Sequence, residues 1–391
     1  MSQTSSSRVA FVVPRYGLEV VGGAERLARE LAERSTIPVT VLTSRAQDYQ
    51  TWKNVYPEGP CVVNGVDVIR FTAQERDVAR FDRRSERIRF GVDASEQERW
   101  MQEQGPYAPA LYEHLRAHGA TYRAVAFFTY LYATSYFGLP LVEQRSVLLP
   151  LAHHEWMLGL SMWDPWFARP RAFVFMTEEE RALLRRRFSQ ELDGTICGVG
   201  VDALVGDAAS FRETFDIQRD FALYVGRIDE SKGCGELLDF YDAYRDQTAA
   251  PVDLVMAGPK HMQLSNRAGV HYVGVLDEQA KWDALAAASL FVMPSSYESL
   301  SIAVLEAWAA ARPALVSATS EVLVAQSRRS NGGLWYRDAL SFRIAIETMR
   351  GETGRTLGLQ GRRYVERECS WKKSISLFES ALEAVAAQAV S

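Results

Sequence analysis

Two patterns of apolar and polar positions succeed each other along this chain, short unbroken apolar runs and longer stretches with helical spacing. Arg8 to Pro14 (RVAFVVP) predicts a buried strand, followed by a glycine-bearing loop, a helix over Glu25 to Ser35 and a second strand at Val39 to Thr43. Gly65 to Phe71, Ala124 to Phe128, Val147 to Ala152 and Ala172 to Met176 predict further strands. Glycines in Cys197 to Asp202 (CGVGVD) break the pattern, and a new alternation begins beyond them. Its strands are expected at Phe221 to Val225, Val252 to Ala257, Val270 to Val273, Leu290 to Met293 and Ala314 to Val316, with helices such as Cys234 to Asp246 and Ser301 to Ala311 between them. Strands separated by helices imply right-handed βαβ units and parallel sheets.

Two such rhythms joined near residue 200 predict an α/β fold of two Rossmann-like, doubly wound domains facing each other across a cleft. Residues 1–199 form the first domain and residues 200–367 the second. The last helix, Trp371 to Ala387, has no strand after it, so residues 368–391 are expected to cross back to the first domain. Residues 74–105 interrupt the rhythm with charges of both signs and predict exposed helix, a solvated face or an inserted lid. Thr177 to Glu180 has the form of a capping box, in which the Thr hydroxyl takes the Glu180 amide while Glu180 reaches back; the helix it opens ends in the basic run Arg185 to Arg187.

Composition narrows the function. At 391 residues, with 47% apolar and 24% charged residues, the chain has the make-up of a globular protein large enough for two ordinary α/β domains. A net charge of -5 argues against a nucleic-acid partner. The four cysteines, Cys61, Cys197, Cys234 and Cys369, show no Cys-x-x-Cys spacing, which fits a reducing compartment better than a zinc site or a disulfide framework. Met1 to Ser7 is polar and reads as a disordered tail, and neither a signal peptide nor a membrane-spanning run is expected. The location expected is the cytoplasm, with peripheral attachment at the inner membrane face left open.

Three loops at expected strand ends carry the chemistry, because open parallel sheets bind ligands beyond their carboxyl ends. Gly22-Gly23-Ala24-Glu25 opens a helix, letting the backbone approach a ligand and offering N–H groups to an anion, although a glycine pair also serves as a plain turn. Gly226-Arg227-Ile228-Asp229-Glu230-Ser231-Lys232-Gly233 brings a planar guanidinium and a mobile ammonium to one strand end, suited to a diphosphate leaving group. Preorganised charge of that kind can take the place of a metal ion. Glu298-Ser299-Leu300-Ser301-Ile302-Ala303-Val304-Leu305-Glu306 sets two glutamates eight apart around a helix start, with Ser299 and Ser301 as capping residues. Ile302, Leu305 and Ala309 are expected to form its buried stripe, with Trp308 close by, leaving Glu306 to accept ribose hydroxyls.

Taken in this order, Gly-Gly-Ala-Glu, Gly-Arg-x-x-x-x-Lys-Gly and Glu-x7-Glu resemble retaining glycosyltransferase family 4 over nearly the whole chain. The resemblance implies a GT-B fold, with the nucleotide held by the C-terminal domain and the acceptor by the N-terminal one. It places Arg227 and Lys232 on the diphosphate, with Gly226 in the same loop, and Glu306 on ribose. Glu298 and the backbone of Ser299, Leu300 and Ser301 sit by the donor sugar and phosphate. Gly22 and Gly23 close over the reaction centre, and Gly258, Pro259 and the Gly274 to Leu276 loop, with Val275 and Leu276, contact the base. It also implies a histidine beside the transferred sugar, assigned to His153 with His154 the alternate by one residue of register. A nucleotide-sugar co-substrate, no cofactor and no metal complete the implied chemistry.

Two departures from the family pattern stand out: Ser301 three residues after the first glutamate, and Ala311 at the helix end before Arg312-Pro313, both where glycine is usual. The second costs about 1 kcal/mol if the position is left-handed. The acceptor is less defined, a glycan, a lipid-linked glycan or a small natural product. Trp156, Met157, Met162, Trp163 and Trp166 suit an acceptor pocket, a membrane interface near Arg185 to Arg187, or a packed loop. A nucleotide-sugar epimerase or a phosphorylase shares the expected fold, and a sugar-nucleotide sensor or scaffold is the non-enzymatic alternative.

Overall fold

The computed structural model describes residues 8–20, 22–190, 192, 194–264 and 266–389. The tail expected at Met1 to Ser7 lies outside them. The chain divides into two compact units, Met1–Gly198 with Lys372–Ser391, and Val199–Trp371.

In the first unit the strands are β1 (Val9–Val13), β2 (Val39–Ser44), β3 (Gly59–Val63), β4 (Val66–Phe71), β5 (Val125–Phe128), β6 (Ser146–Leu149), β7 (Ala172–Phe175) and β8 (Gly194–Ile196). They form one sheet in the order β3-β4-β2-β1-β5-β6-β7-β8, so the strand order reverses at β1. β1, β2, β5 and β6 are buried along their whole length, which is why each reads as an unbroken apolar run. β3 departs from the expected parallel pattern: it pairs antiparallel to β4 at the sheet edge and alternates half-buried with exposed residues. Asn64 and Gly65 join the two strands with φ of 46° and 80°, the left-handed pair that a two-residue hairpin turn demands.

The charged stretch forms two helices, Val78–Arg89 and Ala94–Gln104, tied by Arg84 to Glu96 at 2.6 Å and to Glu103 at 2.9 Å. It is less exposed than expected. Ile88, Trp100 and Met101 are buried in the main apolar cluster of the unit, so the segment is packed wall as well as solvated face. The helix Trp371–Gln388 closes the other side: Phe378 stands 5.5 Å from Phe11 and 6.5 Å from Phe128, ring to ring. Its Glu379 accepts from the Thr36 amide at 2.6 Å and the Ser35 hydroxyl at 2.9 Å.

The second unit holds β9 (Phe221–Val225), β10 (Asp253–Ala257), β11 (Val270–Tyr272), β12 (Leu290–Met293), β13 (Ala314–Ser317) and β14 (Gly333–Tyr336). All pair in parallel, in the order β11-β10-β9-β12-β13-β14. The helix Ile302–Ala309 lies against β12, β13 and the helix Glu352–Glu368. That sandwich corrects the expected stripe. Val304 to Trp308 are all buried, whereas Ile302 and Ala309 are only half-buried, because a helix covered on more than one side has no single apolar face. Trp308 donates from Nε1 to the Gly332 carbonyl at 2.8 Å. Just past the helix, Ala311 has φ of 57°, the left-handed position that glycine occupies without cost. Among the described residues no helix is long and apolar enough to cross a membrane.

Candidate functional site

In the second unit the strand order reverses between β9 and β12. Loops leaving the carboxyl ends of two such strands run to opposite sides, which opens a crevice between them. The loop after β9 carries Gly226, Arg227 and Lys232; the loop after β12 carries Glu298 to Ser301. The first is rigidly held. The Gly226 amide donates to the Ala257 carbonyl at 3.0 Å, Ile228 to Pro259 at 2.8 Å, and the Tyr224 hydroxyl to the Arg227 carbonyl at 2.5 Å. Asp229 caps the short turn Glu230–Lys232 by accepting from the Lys232 amide at 2.9 Å. A side chain at Gly258 would put its Cβ 1.9 Å from the Gly226 carbonyl oxygen, so the loops after β9 and β10 abut backbone to backbone.

Lys232 is not the mobile charge expected. Its Nζ lies 2.8 Å from Glu298 Oε1, and the two side chains are 25% and 11% exposed. Residues 66 apart in sequence thus meet across the crevice. Arg227 reaches Asp229 Oδ2 at 3.5 Å. Both cations are therefore paired with carboxylates, and an anion binding here competes for charges already in place. Ser301 holds the N-cap of Ile302–Ala309, but its side chain makes no capping bond; Ser299 lies two residues before it. The N–H groups at this helix start still point a partial positive charge toward the crevice.

Glu306 sits a little over one turn inside that helix and is 3% exposed. Its Oε1 accepts from Lys281 Nζ at 2.7 Å. Lys281, on the helix Glu278–Ala287, also donates to both oxygens of Glu278, at 2.9 and 3.0 Å. Gly258, Pro259, Val275 and Leu276 gather beyond β10 and β11, where the Gly258 amide donates to the Gly274 carbonyl at 2.7 Å. Val275 is 64% exposed, an apolar side chain at the surface.

In the first unit Gly22 is the N-cap and Gly23 the first residue of the helix Gly23–Arg34, which begins two residues earlier than expected. Glu25 of the same motif is buried and accepts from Arg15 Nε at 2.9 Å and Nη2 at 2.6 Å. His153 lies beyond the end of β6, its Nδ1 3.5 Å from Glu155 Oε1, while His154 is exposed. The Tyr130 hydroxyl, itself beyond β5, donates to that same Oε1 at 2.7 Å. Burial pushes the Glu155 carboxyl up to about 7, against the pull of the Tyr130 bond. The Thr177 hydroxyl caps the Glu180 amide at 3.2 Å as expected, and the Glu180 carboxylate spans further than a capping box, taking the amides of Met176 at 2.7 Å and Ala152 at 2.8 Å. Glu180 thereby fastens the residue before His153 to the end of β7.

The aromatic segment after the histidines is mostly core. Trp163 is 0% and Trp166 3% exposed, and Met162 is buried with them. Trp163 and Trp166 donate from Nε1 to the carbonyls of Met157 at 2.9 Å and Tyr136 at 3.0 Å. Arg187 is spent on the same loop, donating to the Leu158 carbonyl at 2.9 Å and pairing with Asp164 at 2.8 Å. Of the readings open from the sequence, the packed loop is the one that forms; Trp156 and Met157 alone stay half-buried. The contacts of Lys281 with Glu306 and of Tyr130 with Glu155 were not legible, since the sequence does not bring the partners together.

Residues 219–349 match the family model of the group 1 glycosyl transferases. A comparison of the sequence with curated proteins finds no match. Among solved structures, the chain is similar to sucrose-phosphate synthase from Thermosynechococcus elongatus, with a TM-score of 0.74 and 18% identity over 98% of this chain and 100% of that one. It is also similar to HepE of Anabaena in complex with UDP and glucose, with a TM-score of 0.70 and 11% identity over 97% and 100% of the two chains. WaaG, a glycosyltransferase involved in lipopolysaccharide biosynthesis, aligns with a TM-score of 0.63 and 16% identity over 96% and 99%. The fold is therefore GT-B, built on two Rossmann-like sheets. The domain match and the fold together indicate a glycosyltransferase.

Proposed function

We propose that this chain is a retaining glycosyltransferase that moves a sugar from a nucleoside-diphosphate sugar to a glycan, a lipid-linked glycan or a small natural-product acceptor, without a metal ion. The observation that carries the reading is the meeting of the Arg227 and Lys232 loop with Glu298 at the β9/β12 switch point, inside the stretch that matches the glycosyl transferase model. That a similar structure binds UDP and glucose supports the choice of donor class.

In this reading Arg227 and Lys232 stabilise the diphosphate as the glycosidic bond breaks, and the amides from Ser299 to Ser301 face its phosphates. Gly226 keeps the loop close. Glu298 sits by the donor sugar, Glu306 accepts from ribose, and Gly258, Pro259, Val275 and Leu276 hold the base. For the first unit the support is the resemblance: it binds acceptor, His153 is offered to a sugar hydroxyl, and Gly22 and Gly23 allow backbone approach. Acceptor attack and phosphate departure share one face of the sugar, and the departing phosphate takes the acceptor proton.

The test is to incubate the full chain with UDP-, GDP-, TDP- and ADP-sugars and sugar acceptors in EDTA, following nucleoside diphosphate release and the anomeric signal of the product by NMR. Release that depends on acceptor, with the donor's configuration kept, is expected. Donor conversion without acceptor identifies an epimerase instead, and inversion in the product removes the retaining mechanism.

A further inference from the structure

We infer that Lys281 is a positioning residue that presents Glu306 to the ribose of the donor, and so sets how strongly this enzyme prefers ribonucleotides over deoxyribonucleotides. The inference rests on the proposed role of Glu306 and adds to it a residue from another helix. Lys281 is a lysine with 7% exposure, rare for an ammonium unless its donors are matched. They are matched by two carboxylates: Glu306 Oε1 at 2.7 Å, and Glu278 Oε1 and Oε2 at 2.9 and 3.0 Å. Trp282 Nε1 steadies Glu278 from behind at 3.1 Å. The result is a chain of contacts, Trp282 to Glu278 to Lys281 to Glu306, that joins the helix Glu278–Ala287 to the helix Ile302–Ala309.

The geometry bears on ribose in two ways. A carboxylate accepts at about four lone-pair positions, so the Lys281 bond at Oε1 orients Glu306 and is compatible with its accepting from two vicinal hydroxyls. The ammonium also compensates the charge of a carboxylate that is itself 3% exposed. Moreover, the helix that carries Lys281 starts two residues after Leu276 of the loop assigned to the base, and Asp277 caps that helix by accepting from the Ala280 amide at 2.8 Å. Base loop and ribose acceptor are thus held by one short stretch of chain.

The experiment measures binding of UDP, GDP and their 2′-deoxy counterparts to the full chain by calorimetry, using the base that binds tighter. The wild type is expected to favour the ribonucleotide by about 10-fold or more, the loss of a hydrogen bond to a charged acceptor. Lys281→Met should bring that ratio to within about 3-fold of unity, while Lys281→Arg, which keeps a charged donor, recovers part of it. Should the methionine variant fail to fold, Lys281→Gln reads the same ratio and is expected between the two. An undiminished ratio in a folded Lys281→Met or Lys281→Gln overturns the inference. Glu306→Gln separates the layers: if it leaves the ratio untouched, the ribose role of Glu306 itself falls; if it abolishes the ratio and the Lys281 variants do not, only the role of Lys281 falls.

Discussion

Lys232 and Glu298 face each other at 2.8 Å from the loops after β9 and β12, so the cation assigned to the diphosphate is already held by the acid assigned to the donor sugar. A diphosphate that takes the ammonium must share it with Glu298 or displace it. With the proposed roles of Lys232 and Glu298, the pair would couple phosphate binding to the position of the acid beside the sugar. Lys232→Ala removes charge that matters most as the leaving group gains charge, and kcat should fall about 100-fold or more. The melting temperature should stay close to that of wild type, because the pair is partly exposed. Steady-state kinetics with the identified donor check this, and a kcat equal to wild type would remove Lys232 from the site.

Ala311 sits at φ 57° at the end of the Ile302–Ala309 helix. Ala311→Gly relieves the contact of Cβ with the backbone at the cost of a more mobile unfolded chain, for a net gain of up to about 1 kcal/mol. In a domain of this size that raises the melting temperature by about 2–4 °C. A thermal melt showing a decrease contradicts the strain assigned to this position.

Glu155 makes stability pH-dependent in a defined window. Its carboxyl is raised from the ordinary 4.5 to about 7 by burial, opposed by the Tyr130 bond. Between those values the folded chain keeps the proton that the unfolded chain has lost, so stability falls as pH rises from 4.5 to about 7 and is level above. Glu155→Gln does not titrate and should gain on wild type across that window by an amount on the order of 3 kcal/mol. Denaturant melts of both proteins at pH 5, 6, 7 and 8 test it; a constant difference between them refutes the account.

Trp163 is wholly buried, its indole against Tyr130, Tyr136, Trp166 and Phe167. Trp163→Ala should cost about 3–5 kcal/mol of stability, as for other large buried aromatics. A normal melt with a selective rise in acceptor KM is the opposite result, and would return this segment to acceptor binding.

Much of the fold was legible because buried parallel strands are continuous apolar runs. Phe221–Val225 and the helix Cys234–Asp246 lie where the pattern put them. β3 was missed although Asn64-Gly65 between two alternating runs is a strong hairpin signal; Pro60 and Cys61 blur the first of those runs. β8 and β14 went unread because neither is a continuous buried run: β8 is half-buried throughout, and β14 is half-buried at Leu334 and Trp335. The segments bearing Lys232, Glu298 and Glu306 could be singled out by glycines, cations and spacing, but not their partners. Lys281 lies 25 residues before Glu306, and only the packing of two helices makes them neighbours. Trp163 and Trp166 were equally opaque, since their helix, Trp163–Trp166, is a single turn, too short for a period to tell a buried indole from an exposed one.

The most direct measurement of the central claim is calorimetric binding of UDP, GDP, TDP and ADP in EDTA to wild type, Arg227→Ala and Lys232→Ala. One diphosphate is expected to bind the wild type without metal, and each variant to weaken that binding about 10-fold or more, the loss of a charge-assisted bond. Binding that requires metal, or that is equally tight in both variants, would contradict a donor site built on these two cations.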